Sequence, residues 1–457
     1  MKRRDVLKSM GAMAGAAAGS RLLSGCGGAG GDDGEAGITT VVLLMFENRS
    51  YDHVLGTRGM LEGKPGDGLT AAMTNLDSDG AVVAPWPGTP DTMCVPDPPH
   101  GWDASHRQWN AGANDGFVTE QQRDTPGDLG PMQYLSREHQ PVTWALADAY
   151  ATCDRWFASV MGPTWPNRFY WMAGTSMGMT SNDLPPGGFT AKTIFHRLDE
   201  AGVDWKIYYG DLPFAPLLGT KFDVDLSTRL WRLEDFFADA AAGTLPAVVY
   251  LDPPFALADD HPPHHPLLGQ QYLASVYAAL ASSPQWKHTL LIVTYDEHGG
   301  FFDHVSPPTT VDDHADQGFD QLGFRVPTLV VGPYVKAGHV SSVVRDHTSA
   351  LKHLEGMFGL APLSARSSAA ADLWELIDED RLAAGEPAAP IDLPEVSLDG
   401  WMTDNAMCRA VATGREDHDI IRISELNPEL QARWDRRDEL PDRLRAIEAQ
   451  VAAYRRR

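Results

Sequence analysis

Two short acidic segments follow the most apolar runs of the chain. Glu47-Asn48 comes directly after Thr39–Phe46, and Asp296-Glu297 directly after Thr289–Tyr295. Ligands of open α/β sheets bind beyond the carboxyl ends of strands. Two strand ends would then each deliver a pair of oxygen donors. Three carboxylates and an amide converging without counter-charge would repel one another, and a divalent cation removes that conflict. Oxygen donors suit Ca2+, Mg2+ or Mn2+ and admit Zn2+. Taken singly, each pair reads more readily as a helix cap; the joint pattern favours a metal site of Glu47, Asn48, Asp296 and Glu297.

Histidine supplies a second signal. His100 and His106 share one short segment, His261, His264 and His265 a second, His298 and His304 a third, and His347 stands in a fourth. All four adjoin Pro, Gly or Asp in stretches that read as loops after strands, where imidazoles suit proton transfer and phosphate binding. The third signal is Gly162-Pro163-Thr164-Trp165-Pro166-Asn167-Arg168. Gly and two Pro stiffen this turn, so Thr164 can be presented from a rigid backbone. Its hydroxyl is a weak nucleophile until a base or a metal takes its proton. By itself the segment is only a turn.

The elements that must position these residues alternate. Strands are expected at 39–46, 203–209, 245–251, 289–295 and 326–331, and helices at 142–158, 190–202, 230–242, 270–282 and 349–358. Continuous apolar runs read as strands buried on both faces. The pattern predicts an α/β fold with a mainly parallel central sheet and helices on both faces. Residues 56–100 read as an irregular insertion.

The chain has 457 residues, with 37 Lys and Arg against 62 Asp and Glu, a formal charge of −25. That balance argues against a nucleic-acid partner, which needs clustered cations. With Cys26 set aside, the other cysteines, Cys94, Cys153 and Cys408, allow one intrachain disulfide and leave one thiol.

The motifs together carry a resemblance. Glu47-Asn48-Arg49-Ser50-Tyr51-Asp52-His53, the segment 162–168, Asp259-Asp260-His261-Pro262-Pro263, Tyr295–Val305 and Asp346–Ser349 occur in one order. They closely resemble the bacterial phospholipase C and acid phosphatase phosphoesterase family, a branch of the alkaline phosphatase superfamily. His100, Trp102, His106, Trp109 and Asp115-Gly116-Phe117 match a further family segment, and the resemblance spans residues 40–360. It implies an alkaline phosphatase-like fold. It also implies a divalent metal on Glu47, Asn48, Asp296 and Glu297, and Thr164 as a nucleophile that touches the metal. His261 is expected near the phosphate, with His100, His106, His264 and His304 as further candidates. Tyr51 stands where Phe is common, and His265 where an acid is often found. The implied reaction is phospholipase C cleavage of glycerophospholipids through a phosphothreonine. An acid phosphatase acting on monoesters and a non-catalytic, ligand-binding surface lipoprotein remain as alternatives.

The first residues read as an address. Arg3-Arg4 before a Gly- and Ala-rich stretch resembles a Tat export signal, and Leu23-Ser24-Gly25-Cys26 resembles a lipobox. The expected organisation is a Tat-type lipoprotein signal at 1–25, a flexible tether at 26–38, a catalytic domain at 39–360 and a partly helical C-terminal extension at 361–457 packed on that domain. The expected partners are a phospholipid or phosphate-ester substrate, the Tat machinery and, through a lipid on Cys26, the membrane of the cell envelope.

Overall fold

The run after the N-terminal segment becomes β1 (Thr40–Phe46), buried at all seven positions. It is buried because it lies inside a sheet with a strand on each side and helices above and below. In the computed structural model the described residues are 37–89, 92–219, 228–396, 420–424, 428–436 and six positions between 439 and 449. The expected signal and the tether through residue 36 lie outside them.

Seven further strands complete the sheet: β2 (Ala151–Cys153), β3 (Trp205–Tyr209), β4 (Leu230–Arg232), β5 (Val248–Asp252), β6 (Thr289–Tyr295), β7 (Leu329–Val331) and β8 (Val340–Ser341). Their spatial order is β8-β2-β7-β6-β1-β5-β3-β4. β1 runs parallel to both of its neighbours. β5 and β3, β3 and β4, and β8 and β2 also pair in parallel. Among these strands only β7 runs against its neighbours. The register of β1 on β6 ends with Phe46 opposite Tyr295. Glu47 and Asp296 therefore leave the sheet side by side, before any side-chain interaction is considered.

Helices α1 (Tyr51–Val54), α2 (Trp102–Trp109), α3 (Pro141–Ala149), α4 (Thr164–Ala173), α5 (Ile194–Glu200), α6 (Leu233–Ala242), α7 (Pro266–Ala281) and α8 (Thr348–Phe358) carry or cover the site. α7 packs on α3 and α6, while α4 packs on α5 and α8, giving two helical layers around the sheet. Every residue of α4 is buried, and the helix stops at Gly174, whose left-handed φ of 71° closes its last turn.

Two expected helices are shorter than their sequence pattern. The helix expected at 142–158 ends at Ala149, because Tyr150 turns extended and 151–153 joins the sheet between β7 and β8. The helix expected at 230–242 gives its first three residues to the edge strand β4. In both places strand pairing overrides an amphipathic helical pattern.

After α8 the described segments pack on the body. The Ile391 amide donates to the Tyr277 hydroxyl at 2.7 Å, and Trp286 Nε1 donates to the Ala388 carbonyl at 3.0 Å. Further on, Arg443 pairs with Glu234 at 2.7 Å. Cys153 is a free, buried thiol, whereas Cys94 is in a disulfide whose partner lies outside the described residues. Among the described residues no helix is long and apolar enough to cross a membrane.

Candidate active site

The four expected ligands meet at the carboxyl ends of β1 and β6, all of them fully buried. Asp296 Oδ1 accepts from the amides of Asn48 at 3.0 Å and Glu297 at 2.8 Å, which locks the two strand ends together. Glu297 Oε2 accepts from the Gly299 amide at 2.7 Å. His347 Nε2 donates to the Asp296 carbonyl at 2.6 Å and so fixes the backbone from behind. Asn48 adopts a left-handed φ of 56°, a costly conformation for a residue with a Cβ and one that gathers at functional sites.

These contacts use one oxygen of each acid. Asp296 Oδ2 and Glu297 Oε1 are buried with no hydrogen-bond partner among the described residues. Burial pushes both carboxyls above the usual carboxylate range, against the pull of Arg168 on Asp296 and of His100 on Glu297. Buried, acceptor-only oxygens at the end of β6, beside Glu47 and Asn48 at the end of β1, fit a hard divalent cation. Glu47, Asn48, Asp296 and Glu297 are the residues that would hold it.

Thr164 reaches the same place from α4. Its hydroxyl donates to Asn48 Oδ1 at 3.4 Å, and the residue is fully buried. Asn167 makes the turn that presents it. Asn167 Oδ1 accepts from the Val160 amide at 2.9 Å, and its Nδ2 lies 3.1–3.2 Å from the carbonyls of Val160, Gly162 and Pro163. A second clamp holds the helix start, where the Trp165 amide donates to Asn182 Oδ1 at 2.8 Å. The segment is thus more than a turn stiffened by proline: it is a loop folded around one buried amide. Thr164 stands at the first position of α4, where the positive end of the helix favours an anion.

The acids do not converge without counter-charge, as their types alone suggested. Arg168, one helical turn after Thr164, donates through Nε to Glu47 Oε1 at 2.9 Å and lies 3.6 Å from Asp296 Oδ2. Its role depends on which strand end α4 packs against, which the segment's own residues do not announce.

The histidines divide into two groups. His100 accepts from Asn48 Nδ2 at 3.3 Å, lies 3.6 Å from Glu297 Oε1 and donates through Nδ1 to the Pro98 carbonyl at 2.7 Å. His261 stands edge-on to it with ring centroids 6.1 Å apart, and Asp97, His100 and His261 together form a group able to hold a cation. His264 joins this side through Asp259, whose Oδ1 lies 2.6 Å from His264 Nδ1, and the Asp259 carbonyl accepts from the Glu47 amide at 2.8 Å. Asp259 and Asp97 were not among the expected site residues.

The other two stand in separate networks. His304 is held by Asp52 at 2.6 Å and Asp67 at 3.1 Å in an ion-pair network with Arg325 and Asp303. His106 donates to the Trp102 carbonyl at 2.7 Å and lies against that indole on the half-buried face of α2. Neither network includes any of the four ligands. His106 shares α2 with Trp102, and Trp102 lies beside Gly162, where a Cβ would come 3.3 Å from its ring.

Chains of known type bear on this geometry. Residues 38–361 match the Phosphoesterase family. Non-specific phospholipase C6 of Arabidopsis thaliana is 34% identical over 405 residues, covering 79% of this chain and 75% of that protein. Phospholipase C A of Mycobacterium tuberculosis (strain CDC 1551 / Oshkosh) is 34% identical over 384 residues, covering 71% of this chain and 73% of that protein. Among solved structures, an alkaline phosphatase superfamily protein from Vibrio parahaemolyticus aligns with a TM-score of 0.37 at 11% identity, covering 95% of this chain and 97% of that one. A hydroxyl clamped at a helix start, buried acidic oxygens at two strand ends and a family match across most of the described chain lead to one statement: the protein belongs to the Phosphoesterase family and is a hydrolase of phosphoester bonds.

Proposed function

We propose that the protein is an exported, metal-dependent phospholipase C that releases diacylglycerol and a phosphorylated headgroup through a phosphothreonine intermediate. The observation that carries the mechanism is the 3.4 Å contact of the Thr164 hydroxyl with Asn48 Oδ1, inside the set of four oxygen ligands. The relatives named phospholipase C support the substrate class. Glu47, Asn48, Asp296 and Glu297 would hold a divalent cation, which would lower the pKa of a nearby hydroxyl and offset charge on phosphate oxygens.

Thr164 Oγ attacks phosphorus from a helix start that the Asn167 clamp has already oriented, which limits the entropy lost on reaching attack geometry. The bond from phosphorus to the glycerol oxygen breaks as the new Thr–O–P bond forms. His261, next to His100 at the ligand set, gives a proton to the leaving oxygen. Water then cleaves the Thr–O–P ester, its proton returning to His261, and the Thr164 oxygen regains the proton it gave up to solvent before the attack.

The test is acid quench during turnover of phosphatidylcholine, followed by mass spectrometry of the peptide containing Thr164. A phosphocholine diester on Thr164, absent from Thr164→Ala, is the expected result. Active enzyme with no trapped phosphate leaves an activated water as the attacking group. Release of inorganic phosphate from monoesters alone, with no diacylglycerol from phospholipid, moves the reading to acid phosphatase.

Export belongs to the same proposal and is supported by Arg3-Arg4 and Leu23-Ser24-Gly25-Cys26. Lysine at both Arg3 and Arg4 should leave the protein in the cytoplasm, and Cys26→Ser should release it from the membrane fraction. Cys26→Ser protein that stays membrane-bound overturns the lipid anchor.

A further inference from the structure

Helix α4 brings two groups to the site, four residues apart and so on one face. Thr164 is the first. The second, Arg168, is a side chain 1% exposed that no water reaches from outside. Its Nε and Nη2 stand 2.9 Å and 2.6 Å from Glu47 Oε1. Nε lies 3.6 Å from Asp296 Oδ2, and Nη1 lies 4.0 Å from Asp252 Oδ1. Nη2 also donates to the carbonyls of Met45 at 3.2 Å and Phe46 at 3.4 Å, the last two residues of β1. The guanidinium lies 5.1 Å from the ring centre of Phe255 and 5.7 Å from that of Phe214. One planar fork therefore ties the end of β1 to the first residue after β6 and to the helix that carries the nucleophile.

Burying a charge without a partner costs several kcal/mol per ion. Glu47, Asp296 and Glu297 are three buried acids, and Arg168 is the cation that touches two of them. Ionised, the three ligand acids and the arginine sum to −2, and Asp252, 4.0 Å from Nη1, makes the buried set −3, of which one divalent ion cancels two. The acid oxygens with no hydrogen-bond partner among the described residues, Asp296 Oδ2 and Glu297 Oε1, remain for such an ion.

We propose that Arg168 is a resident cation that keeps Glu47 and Asp296 assembled when no metal is bound and sets the charge left for the metal to neutralise. It is a positioning residue, acting on the ligands and not on the substrate. The proposal rests on the metal reading of the site. Lysine cannot replace it fully, because a point charge lacks the fork that spans an acid and two carbonyls.

The experiment is thermal unfolding of the full chain after chelation, and again with Mn2+, Ca2+, Mg2+ or Zn2+ added in turn. In the chelated state Arg168→Met should melt well below wild type. Adding Glu47→Gln to Arg168→Met removes the acid that lost its partner, and should restore part of the melting temperature. With the effective ion present, the metal-induced rise should be at least twice as large in Arg168→Met as in wild type, because the ion then supplies charge that the guanidinium supplied before. Arg168→Lys should fall between the two.

A metal-induced rise no larger than in wild type, with a double variant no more stable than Arg168→Met, overturns the proposal. Should Arg168→Met fail to fold with and without ions, the double variant decides: folded supports the proposal, unfolded overturns it. A wild type that binds none of the four ions refutes the metal reading and the second half of the proposal, while the chelated comparison still reports whether Arg168 assembles the acids.

Discussion

Two neighbouring residues of α4 do opposite kinds of work, and substitution separates them. Thr164→Ala removes the oxygen proposed to attack but only one hydrogen bond, a stability change of about 1 kcal/mol. Its turnover should fall by more than the ~10²–10⁴ that a lost general acid costs, whereas Thr164→Ser should retain part of the rate. Steady-state kinetics with a melting curve on each variant checks both halves. Asn167→Ala should behave differently. It deletes the amide that ties together residues 160, 162 and 163, so stability should fall by about 2–4 kcal/mol as the buried backbone groups lose their partner. Turnover should fall with it while substrate KM changes little. An Asn167→Ala enzyme with wild-type stability would remove the clamp from the account.

At the scale of elements, the loop after β6 is shaped by the residue it must pass. Gly299 has a left-handed φ of 62°, and a Cβ there would collide with the Asn48 carbonyl oxygen. Gly299→Ala should therefore lower bound metal and turnover by at least tenfold. Gly202 has a similar φ of 69° with open space around it, so Gly202→Ala should cost about 1 kcal/mol of stability and leave metal content and turnover at wild-type levels. Equal losses in the two variants would show backbone strain alone at work. This level also marks how far the sequence could be read. β1 and β6 were legible because a strand buried on both faces is a continuous apolar run, and the residues just past its end are delivered to the ligand edge. Arg168 was not, because its meaning comes from the packing of α4 against the end of β1. His106 and His304 share residue type and loop setting with His261, but a helix face and an arginine network hold them in other contacts. Tyr150 ends α3 early for the same kind of reason: the next three residues are claimed by β7 and β8.

At the scale of the whole molecule, buried neutral imidazoles set the response to acid. Burial lowers His265, His347 and His353 to about 4. His353 has no hydrogen-bond partner among the described residues on either ring nitrogen, and only the more distant charge of Asp372 pulls it back. In the unfolded chain an imidazole takes a proton near pH 6.5, so the folded state binds fewer protons between that pH and about 4. The contribution of His353 is thus complete above pH 6.5 and lost as pH falls towards 4, on the order of 3 kcal/mol. His353→Leu should reduce the drop in urea-unfolding stability between pH 7 and pH 4 by that amount, and an unchanged drop would refute it. β1 also has a consequence for how the molecule is moored. The chain enters it at Thr40 and leaves it at Glu47, so Thr40 and the candidate ligands stand at opposite ends of the strand, about 23 Å apart along seven residues. Ten residues lie between Cys26 and Gly37, a leash of at most about 40 Å. A lipid on Cys26 would thus attach towards the end of β1 that lies away from the acids, on a leash longer than the strand that separates that end from them.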